Sequence, residues 1–176
     1  MASADHTANL NRKEAIQKMQ HIAGHGETSA MFCTFVSDDQ GQRPMATRPM
    51  ATQRVDDDGT FWFMSRRDST KNRQIVANPT VQIIYAVGGS AEYMSLEGQA
   101  TITRDQKKID ELWTPLAKTW FPQGKDDPEL TLIAVKVTHG YYWDTKHSKM
   151  VALAGMALGA ITGKETDDSI EGTLSV

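Results

Sequence analysis

Residues 48–79, RPMATQRVDDDGTFWFMSRRDSTKNRQIVANP, decide how the rest of the chain is read. They divide into an extended segment, an acidic turn, an aromatic segment, a polar turn and a basic segment. The aromatic TFWFMS at 60–65 predicts a strand, with Phe61, Phe63 and Ser65 on one face and Trp62 and Met64 on the other. Asp56, Asp57, Asp58 and Gly59 predict a tight, solvated hairpin turn before it. Residues 69–77 predict a short helix capped by Asp68 or Ser69 and stopped by Asn78 and Pro79. The turn between strand and helix gathers Ser65, Ser69, Thr70 and Lys71. A phosphate dianion needs positive charge and several directed donors. Lys71 offers charge, the serines and threonine offer hydroxyls, and the helix start offers free N–H groups and a positive dipole end. Arg48 reaches the same place if the hairpin lays its strand beside 60–65. An ordinary Ser-capped helix with surface bases has this spacing too, so at this level both readings stand.

The chain has 176 residues, 39% hydrophobic and 23% charged, which fits one soluble globular domain. Its formal net charge of -3 gives no support for nucleic-acid binding, which draws on a basic surface. The single cysteine, Cys33, excludes an intrachain disulfide and a Cys-rich zinc site and suits a reducing compartment. The N-terminal residues lack the apolar core of a signal peptide, and the mild apolar run at 150–163 falls short of the ~20 residues that cross a bilayer. The expectation is a cytoplasmic protein with no membrane partner.

Outward from the central stretch, Asn11 with Glu14 predicts a capping box for an N-terminal helix over 11–25, with Ile16, Met19 and Ile22 on one face. Strand-like segments follow at 30–37, at 43–55, where Pro44 and Pro49 predict an irregular or edge strand, and at 60–65, 80–87, 92–103 and 130–142. Gly98 marks a bulge. A helical pattern covers 104–113, and a turn-rich loop then carries Trp120 and Phe121. A C-terminal helix is expected at 146–161 and a polar tail at 164–176. Six strands with short helices and no regular βαβ alternation predict a mainly β (α+β) fold, a six-stranded antiparallel barrel over 30–144 with flanking helices.

Other motifs carry less. His21 and His25 have metal-compatible spacing on a helix end, but no glutamate follows His21 as in a metalloprotease motif. The Gly159–Lys164 run resembles a P-loop with one spacer too few and Glu165 where Ser or Thr should stand. No Gly-x-Ser-x-Gly elbow is present, and Cys33 in an apolar strand reads as a structural thiol. No metal site and no catalytic acid or base is assigned.

The order of short marks is more telling than any one of them: RPM (48–50), WFMS (62–65), Ser69-x-Lys71, Asn78-Pro79, EGQA (97–100), Leu112-Trp113, WFPQGKDDP (120–128) and YWD (142–144). Together they resemble the FMN-binding split barrel proteins related to pyridoxamine 5′-phosphate oxidase, and most closely their bacterial general stress protein branch. The resemblance implies a homodimer with FMN at the subunit interface. It implies that Arg48 and Lys71 meet the FMN phosphate, with Ser65 and Ser69 or Thr70 adding bonds. The backbone of Arg48, Pro49 and Met50 would follow the polar flavin edge, and Met64 would lie against the cofactor. Tyr93 stands where the oxidases place a glutamine near the ring, and Trp113, Trp120 and Phe121 would form the partner-side wall. Gln53 and Thr70 replace bases of the oxidases, and no arginine follows Arg104, which argues against oxidation of the phosphorylated vitamin. Three readings follow: flavin-dependent redox chemistry on a small-molecule partner, non-enzymatic flavin storage or stress sensing, and the same barrel with deazaflavin F420 or haem.

Overall fold

The computed structural model describes residues 7–24, 29–36, 45–87, 92–145 and 169–175. The elements in chain order are α1 (Arg12–Ala23), β1 (Ser29–Phe35), β2 (Met45–Val55), β3 (Thr60–Arg66), α2 (Thr70–Ala77), β4 (Thr80–Val87), β5 (Glu92–Thr103), α3 (Gln106–Leu112), β6 (Leu130–Thr145) and β7 (Ser169–Leu174). Two 3₁₀ turns, Pro115–Thr119 and Gly124–Asp126, lie between α3 and β6. The strands run β3-β2-β1-β4-β5-β6, and β6 pairs back onto β3, closing the expected six-stranded antiparallel barrel.

Sequence alternation sets which side chains fill it. Phe61 and Phe63 on β3 point inward, as do Phe32 on β1, Val81, Ile83 and Tyr85 on β4, and Met94 and Leu96 on β5, all buried. Phe32 and Phe63 meet edge to face at 5.1 Å, the arrangement aromatic quadrupoles favour. Thr52 and Tyr85, polar groups among these side chains, satisfy each other by a hydrogen bond of 2.5 Å, which keeps their burial inexpensive. Helix α1 brings Ile16, Met19 and Ile22 to this core, and its capping box forms as predicted, with Asn11 accepting from Glu14 N and Glu14 accepting from Asn11 N. Lys18 of α1 also reaches Glu92 and Asp144, fastening the helix to the ends of β5 and β6. Gly98 stands at the predicted bulge, where an added Cβ would lie 2.5 Å from the Lys136 carbonyl oxygen.

Two expectations are corrected. The expected polar tail contains β7, which pairs with residues Gly140–Thr145 of β6 and buries Gly172 and Leu174. Its polar composition hid an alternation that only a long neighbouring strand could use. Strand β6 is that neighbour: its first half pairs with β3, and its second half, past the end of β3, pairs with β7. The second correction concerns Asp56. Asp57 and Asp58 are exposed, but Asp56 accepts from Trp62 Nε1 at 2.7 Å, Arg54 Nε at 2.7 Å and Lys108 Nζ at 2.9 Å, so it anchors α3 to the hairpin. Burial alone would raise its carboxyl, but the bonds from Lys108, Trp62 and Arg54 leave it lowered. The expected helix at 146–161, the P-loop-like run and His25 lie outside the described residues.

Candidate functional site

The barrel is split where β2 outruns β3. Strand β3 pairs only with Thr52, Arg54 and Val55 of β2, whereas β1 pairs with β2 along Met45–Ala51. Pro49 therefore lies in a half of β2 with one partner strand, in keeping with its missing N–H. Beyond β3 the chain turns through 66–69 and enters α2, with the Ser69 side chain accepting from Asn72 N as N-cap. A helix N-terminus thus replaces a strand beside Arg48.

Arg48 and Lys71 meet there. Arg48 shares an inward-facing register with Phe32 of β1 and is half-buried. Its Nη1 donates to Thr34 Oγ1 at 2.9 Å and its Nη2 to Gln74 Oε1 at 3.0 Å. Lys71, half-buried in the first turn of α2, forms no hydrogen bond or ion pair with the described residues. Burial lowers the Lys71 ammonium, the Arg48 charge lowers it further, and Asp68 offsets part of this; burial also lowers Arg48. Among the described residues no carboxylate lies within ion-pairing distance of either cation. Two adjacent, partly desolvated cations without a carboxylate partner, next to a capped helix start, form a site suited to an anion.

The predicted hydroxyls divide between support and exposure. Ser65 is buried and donates to Asn72 Oδ1 at 2.7 Å, Asn72 Nδ2 donates to Thr131 Oγ1 at 3.1 Å, and Thr131 Oγ1 donates to the Ser65 carbonyl at 2.8 Å. This closed network locks the first turn of α2 to β3 and β6. Ser65 Oγ also lies 3.3 Å from Ser69 Oγ. Thr70 is exposed, and its hydroxyl accepts from Arg73 Nη2.

The remaining predicted residues lie elsewhere. Met64 faces away from Ser65 and packs, with Trp62 and Trp113, on a second cluster of Ile109, Leu112, Phe121, Leu130 and Leu132. Phe121 is only 4% exposed there and is spent on packing within this cluster, whereas Trp120 in the same loop is 59% exposed. Pro49 and Tyr93 lie on the outer sheet face, while Met50 belongs to the barrel core. Outside the barrel, Pro49, Met31, Ile84, Ser95 and Tyr141 form a row across five strands. The parallel row Ala86, Tyr93 and Trp143 lies beside it. Cross-strand partners share a face, so this is a largely apolar outer surface, with Met31, Met45, Tyr93 and Trp143 all substantially exposed. At its β7 side a groove of about 560 Å³ is lined by Gln82, Ser95, Glu97, His139 and Tyr141, among others, with neither lysine nor arginine.

Thr34, Asn72 and Gln74 were not singled out from the sequence, yet they orient the site. For Gln74 a signal existed: it lies three residues after Lys71, on the same helical face.

The comparisons agree with this architecture. The chain is 23% identical over 166 residues to Protein bli-3 of Neurospora crassa, covering 89% of this chain and 79% of that protein. A structure from Jannaschia sp. CCS1 described as general stress protein 26 superposes with a TM-score of 0.72 at 22% identity, covering 93% of this chain and 96% of that one. The general stress FMN/FAD binding protein of Xanthomonas citri superposes with a TM-score of 0.62 at 24% identity, covering 77% and 92%. No helix among the described residues is long and apolar enough to cross a membrane. A family model described as pyridoxamine 5′-phosphate oxidase like matches residues 14–167, and with most of the chain so covered, it belongs to that family.

Proposed function

We propose that this chain is a flavin-binding protein of the general stress type that holds FMN by its phosphate between Arg48 and Lys71. The observation that carries the reading is the pair of half-buried cations at the start of α2, without a carboxylate partner among the described residues. A phosphate monoester carries about −1.5 to −2 charges at neutral pH, which two cations match. The names of structural relatives, including an FMN/FAD binding protein, support a flavin as the rest of the ligand. The N–H groups of the first turn of α2 and the Ser69 and Thr70 hydroxyls would complete the phosphate shell, with the Arg48–Met50 backbone along the flavin edge. When bound, FMN supplies hydride or electron transfer, and the protein supplies placement and electrostatics.

The reading includes a homodimer formed across the outer sheet face. Met31, Ile84, Tyr93 and Trp143 make that face apolar enough to need a cover. Tyr93, Trp113 and Trp120 then become available to a flavin shared between subunits. The protein would work in the reducing cytoplasm, where Cys33 stays a free, buried thiol. Oxidation of a phosphorylated vitamin is not part of the reading. Thr70 is neutral, and the Gln53 amide is turned back onto the Ala51 carbonyl at 3.1 Å, so neither adds the charge a second phosphate would require.

An absorption spectrum of the purified protein, followed by titration of the apoprotein with FMN, tests the proposal. Flavin bands, or saturable binding of added FMN, are expected; a colourless protein that ignores FMN refutes it. Anaerobic mixing of the loaded protein with NADH or NADPH then separates a reductase, which bleaches, from a store or sensor, which does not.

A further inference from the structure

The way Arg48 is held bears directly on anion binding. A buried or half-buried arginine is ordinarily fixed by a carboxylate, which also neutralises it. Here both contacts are neutral: Thr34 Oγ1 at 2.9 Å and Gln74 Oε1 at 3.0 Å. The two acceptors are joined to each other, since Thr34 Oγ1 donates to Gln74 Oε1 at 2.6 Å. Thr34 is fully buried, and its hydroxyl also lies 3.4 Å from the Ala46 carbonyl oxygen. Gln74 sits one helical turn after Lys71, so one face of α2 carries both the free cation and the group that aims the other cation.

We propose that Gln74 and Thr34 are positioning residues that orient the Arg48 guanidinium without discharging it, and so set the preference of the site for a doubly charged phosphate. This rests on the reading of Arg48 and Lys71 as the phosphate site. The triangle fixes two guanidinium nitrogens from β1 and α2, and the remaining N–H groups keep a full positive charge for the ligand. Glutamate at position 74 would accept the same bonds in the same space and cancel that charge. Leucine would fill the space but release the guanidinium. The clamp therefore predicts an inverted order of effects. Glutamate is the better substitution for the fold and the worse one for the anion.

The experiment compares wild type, Gln74→Glu, Gln74→Leu and Thr34→Val by titrating each full-length apoprotein with FMN and with riboflavin, which lacks the phosphate, and by recording the Tm of each apoprotein. Wild type should bind FMN at least 30-fold more tightly than riboflavin. Gln74→Glu should lose at least 10-fold in FMN affinity, keep its riboflavin affinity and keep or raise its Tm. Gln74→Leu and Thr34→Val should lose less FMN affinity, about three- to tenfold, with a lower Tm. A purely packing role gives the opposite order, with Leu more damaging to both properties than Glu, and overturns the proposal. So does Gln74→Glu binding FMN as wild type does. If wild type itself does not distinguish FMN from riboflavin, the phosphate site is refuted and the clamp falls with it.

Discussion

Replacing Lys71 by methionine tests the site most directly, because the side chain keeps its length and apolar stem while losing its charge. In the folded apoprotein the ammonium is half-buried, repelled by Arg48 and without an ion-pair partner among the described residues. Its pKa lies below the ordinary 10.5, so the unfolded chain holds this proton more tightly than the folded one. The resulting cost is fully present below the folded pKa and is relieved as pH rises towards 10.5. At neutral pH the Lys71→Met apoprotein should thus be as stable as wild type or more so, solvent screening of the half-exposed group keeping the gain small. With phosphate bound the sign reverses, because the same ammonium then makes a charge-assisted hydrogen bond. Such a bond contributes about 1.5–3 kcal/mol, which corresponds to a loss of about 10- to 150-fold in FMN affinity. A fully exposed lysine would contribute only about 0–1 kcal/mol, and partial burial places this one above that range. The assay is fluorescence titration of the apoprotein with FMN and riboflavin at two salt concentrations. Riboflavin affinity should be unchanged, and the FMN difference between wild type and variant should shrink as salt screens the Lys71–phosphate attraction that only wild type has. An FMN affinity within twofold of wild type would refute the placement of the phosphate at Lys71.

Asp56→Asn removes the charge that gathers Arg54, Lys108 and Trp62, and should destabilise the fold by about 1–2 kcal/mol at neutral pH in urea denaturation. Because the folded pKa of Asp56 is lowered, its contribution is present above the ordinary 3.8 and is lost as pH falls through the folded value; the two unfolding curves should converge in acid. Phe63→Ala opens a cavity against Phe32 in the barrel core and should cost about 3–5 kcal/mol, measured by the same denaturation. Met31→Lys places a charge in the outer apolar row, and sedimentation equilibrium should show a dimer for wild type and a monomer for the variant; a variant that dimerises as wild type does would move the proposed interface elsewhere.

Much of the barrel was legible because its strands alternate visibly. Phe61, Phe63 and Ser65 against Trp62 and Met64 gave the two faces of β3 correctly, and Asn11 with Glu14 located the start of α1. Strand β7 was hidden because Ser169, Glu171 and Thr173 make it polar, and its pairing depends on β6 running on past the end of β3. Asp56 was misread for a similar reason: its partners Trp62 and Lys108 come from an adjoining strand and a later helix, and a run of three aspartates looks solvated until they are in place. At the site, Arg48 and Lys71 were named from charge and spacing, and the structure brings them together. Their neutral supports were not named: Gln74 shares a helical face with Lys71, but its bond to Arg48 depends on β2 lying beside α2, and Thr34 carries no local signature of orienting an arginine.

The location of the site follows from where the sheet stops. If β3 continued beyond Arg66, it would pair with the Met45–Met50 half of β2, and the space beside Arg48 would be occupied by a strand. Instead the chain turns, Ser69 caps a helix, and the first turn of α2 presents Lys71 to that space. The Ser65–Asn72–Thr131 network makes this exchange rigid, fixing the helix start to β3 and β6 through buried bonds. Electrostatics work against the cations placed there: burial disfavours both charges, and Arg48 repels Lys71. Structural lysines and arginines elsewhere in the chain look different. Lys18, Arg54 and Lys108 each hold two carboxylates. Among the described residues Lys18, Arg54 and Lys108 are neutralised in this way and the Arg48–Lys71 pair beside a helix N-terminus is not, an electrostatic cost that a bound anion would offset.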